Sequence, residues 1–352
     1  MLANMNDYIQ LLIRLIRTPS FSKNESDVAG IIRQFLHERN IHFQTHKNNT
    51  WVIRPGFDPR KPTILLNSHI DTVKPVPGWT VDPFGAIEEG DRITGLGSND
   101  AGAPLVVLLA VFMHFMNGKD IPWNLVYAAT AEEENSGPDG FESIKAFLPP
   151  IDFAIVGEPT RMEVAVAERG LLVLDCYAHG KSGHAAREEG ENALYIALDD
   201  IRKLRDYNFE MVSDVLGRVK VTATQIEAGT QHNVVPDICH FVLDVRTNEC
   251  YTNHELFTLI SDLIRSEVKP RSFRLNSSGI PADHPFAIRV KELGIPMYGS
   301  PTTSDQAIMP WPSVKLGPGD SARSHTANEY ILRSEMETAF SLYVKIMEGF
   351  VL

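Results

Sequence analysis

Between Thr63 and Asp71 the chain reads TILLNSHID, an apolar run that stops at Ser68 and delivers His69 and Asp71 one spacer apart. Imidazole and carboxylate are side chains that bind divalent cations and move protons. A short apolar run bounded by polar residues reads as a strand buried on both faces, as in a parallel sheet. His69 then falls just past the carboxyl end of the strand, on the rim where open α/β sheets bind ligands. A surface histidine beside a helix-capping aspartate would show the same letters, so two further runs bear on the choice. Leu125–Thr130 leads into Glu132, Glu133 and Glu134, and Phe153–Val156 leads into Gly157 and Glu158. Three strands would thus bring carboxylate or imidazole to one rim. Carboxylates gathered that closely repel one another and become partly protonated unless a cation sits among them. A divalent metal is the economical explanation.

Asp100 stands immediately before the apolar run Ala101–Met116. An ordinary helix N-cap accounts for it, as does a further carboxylate at the same site. Gly95-Leu96-Gly97 half-matches a dinucleotide fingerprint, but Asp100 takes the place of the third glycine and would aim its charge at a pyrophosphate. An anionic ligand is disfavoured there and a cation is not.

The elements that must position these residues follow from length and pattern. At 352 residues two domains are the natural expectation, and 43% hydrophobic with 22% charged residues is the composition of a globular protein. A formal charge of -12 excludes nucleic acid as a partner, since no basic stripe replaces phosphate counterions. The stripe Tyr8, Leu11, Leu12, Leu15 and Ile16 is broken by Asp7, Arg14 and Arg17, unlike a signal-peptide core, and no run is read as reaching membrane-spanning length. Cys176, Cys239 and Cys250 lack metal-type spacing and read as idle thiols of a reducing cytoplasm, the expected location.

Helices are expected over the first stripe and through Val28–Leu36, with strands at Ile41–Thr45 and Thr50–Ile53 before the central one. Strands alternating with helices imply a mainly parallel sheet covered on both sides. From Glu168 the pattern changes. Strands at Leu171–Ala178, Val219–Ile226, Ile238–Arg246 and Ser272–Ser277, with helices at Asn192–Arg205 and His254–Val268, spell β-α-β-β-α-β, the ferredoxin-like order. Helices at Phe286–Leu293 and Glu335–Met347 and a strand at Ser313–Leu316 then resume the first pattern. The expectation is a discontinuous α/β catalytic domain, 1–167 and 280–352, with an inserted α+β domain, 168–279.

SHIDTV at 68–73, GSND at 97–100, TAEEENSG at 130–137, VGEPT at 156–160, GKSGHAA at 180–186 and GPGDSARSH at 317–325 follow one another in order. Together they resemble the motif set of the two-zinc deacylase and exopeptidase family, whose members include acetylornithine deacetylase and succinyl-diaminopimelate desuccinylase. The likeness runs over essentially the whole chain. It implies a zinc-peptidase-like catalytic domain with an inserted dimerisation domain. It further implies that His69, Asp100 and Glu158 hold one Zn2+ and Asp100, Glu134 and His325 a second, with Co2+ able to substitute. Asp71 would orient His69, Glu133 would be the general base, and Glu132 would flank the site. His184 would reach the oxyanion across a homodimer formed through the inserted domain, and Asn233, Arg246, Thr303 and Ser304 would contact substrate.

The activity implied is hydrolysis of a small N-acyl amino acid, with N-acetylornithine first. N-succinyl-ornithine or N-succinyl-diaminopimelate, acetylcitrulline, a dipeptide, and a non-catalytic binding protein on the same scaffold are the alternatives. A succinyl group would require a cation, for which Arg169, Lys181 and Arg187 are placed. Two departures stand out. Ala101-Gly102-Ala103 replace the family's Met-Lys-Gly, and Asn99–Asp100 is where a non-proline cis peptide is usual in the family.

Overall fold

In the computed structural model, which describes residues 4–116 and 121–352, the central run forms the strand Thr63–His69, buried along its whole length. His69 is its last residue. Asn124–Thr130 lies parallel to it with Thr130 opposite His69, and Phe153–Val156 lies parallel on the other side with Val156 opposite Asn67. This register decides the site. Glu158, two residues past Val156, is level with His69, and the glutamate run begins two residues past Thr130. Ser313–Lys315 adds a parallel strand against Phe153–Val156. Asn49–Ile53 pairs antiparallel with Asn124–Thr130, and Gln44–His46 with Asn49–Ile53. The expected strand at Ile41 starts only at Gln44, because Ile41 is still turning out of the preceding helix with its N–H on Leu36 O.

Alternate residues of the strands enter two apolar clusters, Ile64, Leu66, Tyr127 and Ile155 on one face and Leu65, Val126, Ala128 and Ala154 on the other. Burial on both faces removes any need for polar alternation, hence the continuous apolar runs. Helices Met5–Ile16, Ser26–His37, Ala103–Met116 and Arg333–Glu348 pack into the first cluster.

The helix expected from Ala101 differs at its start. It begins at Ala103, after a wider turn over Ser98–Gly102 in which Asp100 and Ala101 are non-helical. Asp100 is therefore not its N-cap, and the cis peptide bond is Asp100–Ala101 rather than Asn99–Asp100. Turn and helix together make a stretch of 19 residues, Ser98–Met116, long and apolar enough to cross a membrane, which corrects the expectation that no run reaches that length. Its most apolar window is 72% buried within this chain, and a core helix apolar on every side meets the same criterion.

The chain divides into two compact units, one of residues up to Val166 with Ile280–Tyr298 and Ser304–Leu352, the other of Ala167–Gly279 with Gly299–Thr303. In the second, four strands lie antiparallel in the order Lys220–Ala228, Ile238–Arg246, Leu171–His179, Glu267–Pro270. With helices Ala193–Asp206 and Asn253–Leu263 this is the ferredoxin-like arrangement. Leu172, Leu174, Cys176 and Ala178 of one central strand and Cys239, Phe241, Leu243 and Val245 of the other point into its core. All three cysteines are free thiols, and burial pushes Cys176 up to about 12.

The second helix of this unit ends at Leu263 rather than Val268, and its fourth strand is Glu267–Pro270 rather than Ser272–Ser277. Asp200 is the cause. Its buried carboxylate accepts the N–H of Arg265 (3.1 Å) and of Ser266 (2.9 Å) and the Ser266 hydroxyl (2.6 Å), which draws the chain out of the helix. Asp200→Ala would strand these donors, and urea unfolding is expected to show a loss of about 2–4 kcal/mol. A loss under about 0.5 kcal/mol, the range of neutral surface changes, would remove Asp200 from this role.

Candidate metal centre

The His69 ring is held from behind. Its Nδ1 lies 3.0 Å from the carbonyl oxygen of Asp71 and 3.5 Å from Asp71 Oδ1, which leaves Nε2 facing the rim. There Nε2 stands 3.3 Å from Asp100 Oδ1 and 3.9 Å from both Glu133 Oε2 and Glu158 Oε1. His325 arrives from the far end of the chain with Nε2 3.0 Å from Glu134 Oε2 and 3.7 Å from Asp100 Oδ2. Asp100 therefore turns one oxygen towards each imidazole.

The glutamate loop is fixed through its backbone. Four successive N–H groups donate to side-chain acceptors: Ala131 to Asn49 Oδ1 (2.9 Å), Glu132 to Glu25 Oε1 (3.3 Å), Glu133 to Asp71 Oδ1 (3.1 Å) and Glu134 to Asp71 Oδ2 (3.1 Å). The Ser22 hydroxyl donates to Asp71 Oδ2 at 2.7 Å. Asp71 thus serves the imidazole and the loop at once. Glu132, at a positive φ of 56°, sends its carboxylate to the Asp139 N–H instead of to the cluster.

Crowding sets the charge states. Burial opposes a charged His69, yet Glu133, Asp100, Asp71 and Glu158 around it raise its pKa well above the ordinary value. Burial lifts Glu133 well above the carboxylate range, and Glu158, Asp305 and Glu134 lift it further against the pull of His69. Burial likewise carries Glu158 up to about 8. Asp100 goes the other way, since the bonds and charge from His69, with Ser324 and His325, outweigh its burial. The bond to Glu134 carries His325 up to about 9.

These residues fit a metal. The ligating atoms of His69, Asp100 and Glu134 lie within 4.8 Å of one another, as do those of His69, Glu133 and Glu158. Glu158 Oε1 is buried with no hydrogen-bond partner, a costly state for a carboxylate oxygen unless a cation faces it. Imidazole nitrogens with carboxylate oxygens suit zinc and its divalent neighbours. At 3.9 Å from His69, Glu133 stands as close as Glu158 does.

The remaining expected residues are placed as follows. His184, Asn233, Arg246 and Thr303 belong to the second unit, and Ser304 to the first. His184 and Asn233 are exposed neighbours across a short strand pair, with Ala185 N donating to Asn233 O at 3.0 Å. Arg246 makes a two-pronged ion pair with Asp244 (2.8 and 3.1 Å), and the Thr303 hydroxyl donates to Arg169 O at 3.0 Å. Ser304 caps the turn that follows it, accepting the Gln306 N–H. The Arg169 guanidinium donates to the carbonyls of Leu216, Arg218 and Arg246.

Glu25, Asn49 and Glu329 were not singled out from the sequence. Glu25 opens a helix, where an acid is commonplace, and Asn49 starts a strand.

Carboxylates and one imidazole from the ends of parallel strands meet Asp100 from a turn and His325 from a carboxyl-terminal segment, a donor set that fits a divalent metal. The chain belongs to Peptidase family M20/M25/M40, which it matches over residues 65–349. It is similar to the LysW-lysine/LysW-ornithine hydrolase of Sulfurisphaera tokodaii, 25% identical over 96% of this chain and 94% of that one. It is likewise similar to the acetylornithine deacetylase of Buchnera aphidicola, 24% identical over 99% and 100%, and to the succinyl-diaminopimelate desuccinylase of Orientia tsutsugamushi, 24% identical over 95% and 94%. Among solved structures, the aminopeptidase PepT of Bacillus cereus shares the fold with a TM-score of 0.74, at 18% identity over 99% of both chains.

Metal and protons should compete here. Glu158 rises from 4.5 to about 8 and His325 from 6.5 to about 9 in the folded chain. A group raised on folding stabilises the fold below its unfolded pKa, and that stabilisation is lost as pH rises through the folded value. Calorimetry of chelated protein is expected to show Tm falling between about pH 5 and about pH 9, with zinc restoring more stability at the alkaline end. Zinc titrations in buffers of different ionisation enthalpy should report proton release. A Tm that climbs through this window would contradict the raised values.

Proposed function

We propose that this chain is a cytoplasmic, homodimeric two-zinc hydrolase that cleaves the linear amide of an N-acyl amino acid, with N-acetylornithine, giving ornithine and acetate in arginine biosynthesis, as its first substrate. On this reading His69, Asp100 and Glu158 hold one zinc and Asp100, Glu134 and His325 the other. The observation that carries it is Asp100, with Oδ1 3.3 Å from one imidazole and Oδ2 3.7 Å from the other, from where its carboxylate would be shared by both ligand sets. The Glu132 carboxylate, directed to the Asp139 N–H, supports a flanking role for that residue.

Bound there, the metal pair supplies polarisation of the amide carbonyl and acidification of the attacking water. Glu133 takes a proton from that water as its oxygen bonds to the carbonyl carbon, then gives the proton to the departing amine as the C–N bond breaks. Burial raises its pKa above the ordinary carboxylate range, which favours its acceptance of that proton. Asp71 keeps the His69 ring and the Glu133 backbone in register. His184 of the partner subunit donates to the oxyanion, while Asn233, Arg246, Thr303 and Ser304 contact substrate.

Two curated relatives aligned over more than nine tenths of both chains carry ornithine in their names, which supports that amino acid. The third relative carries succinyl-diaminopimelate, and desuccinylation is the runner-up. Arg169 is engaged by three backbone carbonyls, which leaves Lys181 and Arg187 as the cations for a succinyl carboxylate.

Zinc-loaded protein should release amine from acetylornithine faster than from succinylornithine, acetylcitrulline or succinyl-diaminopimelate. A hundredfold preference, about 2.7 kcal/mol of transition-state discrimination, would identify the substrate. Glu133→Gln is expected to lose about 10^2-fold or more in kcat with two metals retained, and Glu134→Gln to lose metal as well as rate. Metal lost from Glu133→Gln, with residual rate kept, would shift the assignment by one residue.

If each site is built from two chains, inactive His184→Ala and Glu133→Gln homodimers unfolded and refolded together should regain up to about a quarter of wild-type activity, since random pairing yields heterodimers with one intact site. Verified heterodimers without recovery would confine His184 to its own chain or remove it from the reaction.

A further inference from the structure

The turn that presents Asp100 is itself neither a strand nor a regular helix. Asp100 and Ala101 lie outside helical geometry, and three N–H groups of the turn, those of Gly97, Asn99 and Asp100, need acceptors in a buried place. All three find the same one. Glu329 Oε1 accepts from Asn99 N at 2.8 Å and Asp100 N at 2.9 Å, and Oε2 accepts from Gly97 N at 3.1 Å. Glu329 is 2% exposed, and its own carbonyl oxygen accepts the Gly95 N–H at 2.9 Å. Gly97 is held at a φ of 73°, and a Cβ there would stand 2.5 Å from Thr72 Cγ2, so the turn admits only glycine at this point.

The segment carrying Glu329 also carries His325. Asn99 ties the same two stretches again, its Oδ1 accepting Asp320 N at 2.9 Å and its Nδ2 donating to Asp320 O at 3.1 Å and Ser324 Oγ at 3.3 Å. The relative position of Asp100 and His325 is thus set by a carboxylate that touches neither side chain.

We infer that Glu329 is a positioning residue for the candidate bridging ligand: by gathering the Gly97, Asn99 and Asp100 amides it fixes where Asp100 presents its two oxygens relative to His325. This rests on the ligand assignment proposed above. The three N–H groups call for an acceptor at both side-chain oxygens. Glutamine fills the same volume, but its NH2 would oppose one of three converging N–H groups, whereas a residue kept only for packing would tolerate the exchange.

The test is zinc affinity of the folded apoprotein, by competition with a chromophoric chelator, for wild type, Glu329→Gln and Asp100→Asn. Glu329→Gln is expected to keep its circular dichroism spectrum and bind zinc about 10- to 100-fold more weakly, with KM at saturating zinc unchanged. A folded Glu329→Gln protein within twofold of wild-type affinity overturns the inference. Asp100→Asn with wild-type affinity would instead overturn the ligand assignment, so the two failures are distinct. Should Glu329→Gln not fold, amide exchange in the wild type decides. Slow exchange at Gly97, Asn99 and Asp100, slowed further by zinc, is expected, and fast exchange or no response to zinc overturns the inference.

Discussion

The constraint on which this structure turns is repulsion among four carboxylates, Asp100, Glu133, Glu134 and Glu158, brought against two imidazoles at one end of a parallel sheet. Left alone such groups would take up protons or move apart, and burial raises Glu133 and Glu158 accordingly. The chain resists separation by holding the backbone rather than the side chains. Asp71, Glu25 and Asn49 accept every N–H from Ala131 to Glu134, and Glu329 accepts three from the turn bearing Asp100. Side chains that converge on a cation are thereby carried on loops whose main chain has little freedom, the arrangement that preorganised sites need.

The sheet makes this possible through register. Pairing of His69 with Thr130 and of Asn67 with Val156 brings the residues just beyond each strand to one level, although they lie far apart in sequence. Because both sheet faces are filled with apolar side chains, a one-residue slip would turn two core faces inside out. Packing that stabilises the unit and alignment that assembles the site are one and the same.

Much of this was legible in the sequence for a physical reason. A strand buried on both faces must be apolar, so polar residues at its end mark where chemistry begins, and His69, Glu133, Glu134 and Glu158 were all found in that way. The β-α-β-β-α-β order was equally plain. What stayed hidden depends on hydrogen bonds between distant residues, which leave no periodicity. The end of the helix at Leu263 is decided by Asp200, and the start of the helix at Ala103 by a turn whose amides belong to Glu329. Glu25 looks like any acid at a helix start, yet its Oε1 accepts the N–H of Lys23 at 2.6 Å and that of Glu132 across a hundred residues. Resemblance, rather than periodicity, separated Glu132 from its two neighbours.

The discontinuity of the first unit has a consequence for the order in which the protein is made. Domains fold as units while the chain grows from its amino end. His69, Asp100, Glu133, Glu134 and Glu158 are synthesised before the second unit, whereas His325 and Glu329 come after it, and so does the helix Arg333–Glu348 that fills part of the first core. A nascent chain thus spends much of its time at the ribosome with a nearly complete ring of carboxylates and neither the second imidazole nor the carboxylate that holds the Asp100 turn. The order of synthesis leaves the closing of the cluster to the segment that carries His325 and Glu329.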